Sequence, residues 1–115
     1  MRSLRQSALA SSSDFEHVQA CKAAVSCVLP EAEVVLFGSR ARGDATVESD
    51  FDFLIITPFL AEPDLQNRLS DAIYEVELDR AIMVTCIVCS REEWNGVLWR
   101  AAPLRANVER EGIAL

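Results

Sequence analysis

A chain of 115 residues has room for one hydrophobic core, burying roughly two-thirds of its unfolded surface, and none for a second substrate-binding domain. Half of its residues are apolar and a quarter charged, which excludes a disordered or fibrous protein, and its longest apolar stretches, such as Ala81 to Cys89, fall far short of the roughly 20 residues of a membrane-spanning helix. The net charge of −7 argues against non-specific binding to nucleic acid, because a phosphate backbone is gripped by Lys and Arg releasing counterions.

The first residues are basic and serine-rich without the continuous apolar core of a secretory signal. They read as a flexible tail over 1–12, ahead of a single domain over 13–115, with a short organelle-targeting peptide as the alternative. The absence of a secretory signal also sets the expectation for Cys21, Cys27, Cys86 and Cys89. They are expected to be buried, reduced thiols in a cytoplasmic protein, packing as small hydrophobes. Cys86 and Cys89 have the C-x-x-C spacing, but on a strand an odd offset sends them to opposite faces, where they do not share a zinc.

Ser13 and Glu16 have the form of a capping box, and Phe15, Val18, Cys21, Val25 and Val28 follow at helical spacing up to Pro30. His17 lies one residue off that stripe, at the surface or boundary. Glu33 to Phe37 reads as a buried strand ending at Gly38, and Gly38 to Asp50 as a loop holding at most one short helix. Phe51 to Thr57 resumes the strand pattern. Leu65, Leu69, Ala72, Ile73 and Val76 mark a second long helix, entered through Pro63. Ala81 to Cys89 is a third strand. Ser90 and Glu93 repeat the capping-box spacing ahead of a helix carrying Trp94, Val97 and Leu98, with both Trp94 and Trp99 expected to pack rather than stack on a base. A last helix over Leu104 to Glu111 is expected to end at a left-handed Gly112. This alternation predicts an α/β protein, a sheet covered by helices, and leaves strand order and direction open.

The chemistry concentrates between Gly38 and Asp52. Glycine at 38 lets backbone approach a phosphate, Ser39 adds a hydroxyl and the start of a short helix, and Arg40 and Arg42 supply forked, charged donors. Asp50 and Asp52 lie two apart at a strand start, so their carboxylates project to one face. Converging carboxylates repel unless a cation sits between them, and hard oxygen ligands select Mg²⁺ or Mn²⁺. Taken singly, each feature belongs to ordinary turns and solvated loops. A Gly-Ser followed ten residues later by Asp-x-Asp, however, arises by chance in roughly one chain in a thousand of this length.

The segment Gly38-Ser39-Arg40-Ala41-Arg42-Gly43, followed by Ser49-Asp50-Phe51-Asp52, resembles the signature of the DNA polymerase β-like nucleotidyltransferase superfamily, and in particular its minimal branch. The resemblance extends over the order of elements to the ending Pro103-Leu104 through Gly112. It implies a small mixed sheet covered by helices and transfer of NMP from an NTP, commonly ATP, to a hydroxyl of a protein or nucleic acid. It further implies that Asp50 and Asp52 hold metal and act in catalysis, while Gly38, Ser39, Arg40 and Arg42 handle the nucleotide. Many minimal members are antitoxins that silence a small helical ribonuclease toxin, by contact or by adenylylation. One position departs from the pattern: the following strand, Ile82 to Val88, lacks the family's third carboxylate. Thr85 falls in its place, and Glu75, Glu77 and Asp79 lie just upstream as possible substitutes. An active enzyme and a binding subunit with weak or lost chemistry are therefore both open. A third reading, modification of a small-molecule hydroxyl, requires an acceptor-binding region that the chain has little room to supply.

Overall fold

The structure, a computed structural model, describes residues 1–3 and 12–115. Its elements in chain order are β1 (Arg2–Ser3), α1 (Ser12–Val28), β2 (Glu33–Phe37), α2 (Ser39–Arg42), β3 (Phe51–Thr57), α3 (Pro63–Arg80), β4 (Val84–Ser90), α4 (Arg91–Trp94), α5 (Val97–Ala101), α6 (Pro103–Glu111) and β5 (Ile113–Ala114). The strands form one mixed sheet in the order β1-β5-β2-β3-β4. β2 runs antiparallel to β3 and β5, whereas β4 is parallel to β3 and β1 to β5. The α/β class and the mixed sheet are those implied by the sequence. Most of the expected tail lies outside the described residues, and Arg2–Ser3 pair with β5.

The sheet is apolar on both faces because its strands are nearly continuous apolar runs, and helices cover each face. Val34, Leu36, Phe51, Phe53 and Ile55 point toward α1 and α3, where Val18, Cys21, Val25, Leu69 and Ile73 complete a buried cluster. Val35, Phe37, Leu54 and Ile56 point the other way, onto Trp94 of α4 and Val108 of α6. Cys86 packs with the first cluster and Cys89 with the second, so the C-x-x-C pair is split between faces as strand geometry requires. All the cysteines are free; Cys27, expected to be buried, is exposed. Burial pushes the Cys21 thiol up to about 12, and those of Cys86 and Cys89 to about 11.

Three local expectations are corrected. Phe15 is 44% exposed; the inward position one turn before Val18 is taken by Asp14, which pairs with an arginine of the neighbouring loop. The single helix expected after Ser90 is two, because Asn95 and Gly96 interrupt it, and this leaves Val97 and Leu98 exposed. The capping box between Ser90 and Glu93 forms in full. Gly112 has φ −64° and ψ 147°, extended rather than left-handed, since the chain passes directly from α6 into β5. A side chain there is excluded by packing: a Cβ would stand 2.5 Å from the Val108 carbonyl oxygen and 2.9 Å from Val35 Cγ1.

Among the described residues no helix is long and apolar enough to cross a membrane. Trp94 is buried in the second cluster with Trp99 tilted against it, ring centroids 5.6 Å apart, so both tryptophans pack. His17 is half-buried, its ring edge-on to Phe51.

Candidate nucleotide site

The site is set by the register between β2 and β3. Phe37, the last residue of β2, pairs with Asp52, so Gly38, which follows it, lies beside the Asp52 side chain. Gly38 has φ 75°, a left-handed value that favours glycine, and a Cβ there would stand 2.3 Å from Asp52 Oδ2. The glycine therefore makes space for the carboxylate as well as turning the chain. From Gly38 the chain enters the one-turn helix α2, which closes on Gly43 with φ 87°. A helix of four residues sums few peptide dipoles, so little of the anion attraction expected at Ser39 comes from its macrodipole.

Asp52 has the parity of Leu54 and Ile56, on the face covered by α4 and α6. Asp50 lies immediately before β3 and is half-buried, like Asp52. Burial, and then the negative charge of Asp50, raise the Asp52 carboxyl above its ordinary range; Arg42 opposes the shift and Glu111 adds to it. Thr85 bridges the two acids from β4: its Cα pairs with Asp52, and its hydroxyl donates to Asp50 Oδ2 at 3.4 Å. Thr85 thus occupies the sheet position next to the acids that a further carboxylate on β4 would take. The upstream acids are elsewhere. Glu77 accepts a hydrogen bond from the Val84 amide at 3.0 Å, and Glu75 and Asp79 line a groove between α1 and α3, on the opposite side of the sheet.

The two arginines of the loop part company. Arg40 turns into the fold, its guanidinium donating to both oxygens of Asp14 at 3.1 and 3.3 Å, and to the Ser49 carbonyl at 2.8 and 3.2 Å. It also covers the Phe51 ring, 4.4 Å from its centroid. Arg42 stays at the surface of the site, donating to Asp44 at 3.2 Å and to both oxygens of Glu111 at 3.2 Å. The hydrogen bond to Glu111, then that to Asp44, raises the Arg42 guanidinium above its ordinary range.

Glu111 is the residue that sequence reasoning missed. The end of α6 brings its carboxylate to the glycine turn, where it accepts from the Gly38 amide at 3.2 Å as well as from Arg42. The separations of 73 and 69 residues left no local pattern to read. The only sequence signal was its place before Gly112 in the ending that resembles the minimal branch.

An α/β domain in which a glycine turn, a surface arginine and paired aspartates meet at one end of a mixed sheet has the arrangement of a nucleotide-handling protein. The chain belongs to the nucleotidyltransferase-domain family, whose model matches residues 16–115. Among solved structures, a provisionally assigned nucleotidyltransferase is similar at 22% identity over 68% of this chain and 83% of its own, with a TM-score of 0.43. A poly(U) polymerase solved with MgGTP bound is similar at 24% identity over 60% of this chain, with a TM-score of 0.36; the overlap spans 22% of that polymerase. A comparison with curated proteins returned no match.

Proposed function

We propose that this protein is a Mg²⁺-dependent nucleotidyltransferase that moves NMP, from ATP, to a hydroxyl of a partner macromolecule, and that it serves as the antitoxin of a toxin–antitoxin pair. The observation that carries the enzymatic part is the placement of Asp52 beside the Gly38 turn, with Asp50 joined to it through Thr85, two carboxylates whose charges favour a shared cation. Among the described residues no group of three or more His, Cys, Asp or Glu side chains is arranged to hold a metal ion. Paired carboxylates fit Mg²⁺ nonetheless, because that ion is commonly held by one or two carboxylates, with substrate phosphates and water completing its shell.

A divalent ion held there would neutralise triphosphate charge and orient an in-line attack on the α-phosphorus. The acceptor oxygen forms a bond to that phosphorus as the bond to the β-phosphate oxygen breaks; pyrophosphate leaves, and the hydroxyl proton passes to water. In this reading Gly38 lets the backbone approach the phosphates, Ser39 offers its hydroxyl and Arg42 its guanidinium. Arg40 braces the loop from within. The family match supports the nucleotidyl-transfer chemistry, and the sequence resemblance to minimal, antitoxin-type members supports the partner, a small helical ribonuclease.

Incubation with labelled ATP, Mg²⁺ and the cognate partner tests the enzyme. Label should pass to the partner and be lost in Asp50→Ala/Asp52→Ala; label that never moves, or moves equally in the variant, contradicts the reading. Thr85 standing beside Asp52 favours one second reading, a nucleotidyltransferase-like subunit that neutralises its partner by contact. In that case the double variant still neutralises.

A further inference from the structure

Glu111 is held, not solvated: its side chain is 10% exposed, although it is the last residue of a surface helix. Its location is unfavourable on two counts. A carboxylate at the C-terminal end of a helix meets the negative end of the dipole, and this one also adds negative charge next to Asp52. The Gly38 amide, 3.2 Å from Oε1, and the Arg42 guanidinium, 3.2 Å from both oxygens, offset those penalties. A carboxylate and a phosphate present the same feature to such donors, an anionic oxygen pair that accepts charge-assisted hydrogen bonds. The donors Glu111 occupies are also those the proposed function assigns to the nucleotide.

We propose that Glu111 is an intramolecular stand-in for a phosphate, holding the Gly38 amide and Arg42 in the nucleotide-free protein and yielding them when a triphosphate binds. The inference rests on the nucleotide-site reading and adds to it the residue that sets affinity. The displacement reaches beyond the site. Gly112 and β5 follow Glu111 directly, β5 pairs with β1 and β2, and Arg2 at the start of β1 donates to the Ala41 carbonyl of α2 at 2.9 Å.

Calorimetry on the full chain, with inorganic tripolyphosphate and with ATP, each in the presence of Mg²⁺, separates the possibilities. Glu111→Gln keeps the side-chain shape and an acceptor for the Gly38 amide while removing the charge. It should bind both ligands about tenfold more tightly than the wild type, the order expected when a competing charged acceptor is removed. Equal or weaker binding by the variant, with the wild type binding well, would show that Glu111 braces Arg42 instead of competing, and overturns the proposal. No binding by either protein removes the nucleotide-site reading and this inference with it. A second measurement needs no variant: the Glu111 carboxylate carbon resonance of the wild type should shift on saturation with Mg²⁺ and tripolyphosphate. A saturated protein whose Glu111 resonance stays in place also overturns the proposal.

Discussion

Asp52 is the residue on which charge, packing and chemistry converge. Its carboxyl is raised above the ordinary range first by burial and then by Asp50, so between the unfolded value near 3.9 and the higher folded one the native state binds more protons. Stability that this group contributes below the unfolded pKa is therefore lost as pH rises through the folded one. Asp52→Asn is expected to melt above the wild type at pH 7 without divalent ions, with the gap closing as pH falls to about 4. Added Mg²⁺ should stabilise the wild type and not the variant. Thermal melts across that pH range, with and without Mg²⁺, check both parts. At this scale the sequence was legible for Asp52, whose direction follows the alternation of β3. It could not show which way Arg40 and Arg42 turn, because Arg40 takes its direction from Asp14 on another element, 26 residues away.

That Arg40 contact joins elements: it ties the first turn of α1 to α2 and to the loop ahead of β3. Asp14 and Arg40 are both largely buried, and breaking a buried pair by removing one partner costs about 3–5 kcal/mol. Arg40→Ala should therefore lower the urea midpoint by an amount corresponding to about 3 kcal/mol or more. Asp14→Leu/Arg40→Met should recover much of the loss. Arg42→Ala takes the cation from the 10%-exposed Glu111 carboxylate but does not empty a buried guanidinium site, so it should lower the midpoint by less than Arg40→Ala while weakening Mg²⁺-nucleotide binding. Equal urea midpoints for Arg40→Ala and the wild type would contradict the bracing role. The same contact explains why only the first turn of α1 departs from the expected stripe, with Phe15 outward while Val18, Cys21 and Val25 are buried as expected. Periodicity counts apolar residues, and an inward aspartate paired across elements is invisible to it. The capping box at Ser90 was legible because both partners lie within one turn, whereas the break at Asn95 and Gly96 was overridden by the apolar pattern around it.

At the scale of the whole molecule, the alternation of helices and strands foretold a covered sheet, but pairing was beyond it. β5 is two residues long and takes its place between β1 and β2, which both lie early in the chain, far from it in sequence. That closure lays α6 on the face carrying Asp52, and so delivers Glu111 to the Gly38 turn. The site is accordingly assembled from the β2–β3 register, the strand β4 and the C-terminal helix, while its sequence signature lies between residues 38 and 52.

The most direct test of the account is calorimetric titration of ATP into the full chain, with and without Mg²⁺, beside Asp50→Ala/Asp52→Ala. Saturable binding that needs Mg²⁺ and disappears in the double variant is the predicted result. Binding that is indifferent to Mg²⁺, or that survives loss of both aspartates, would contradict the assignment of these two side chains as the holders of a metal-bound triphosphate.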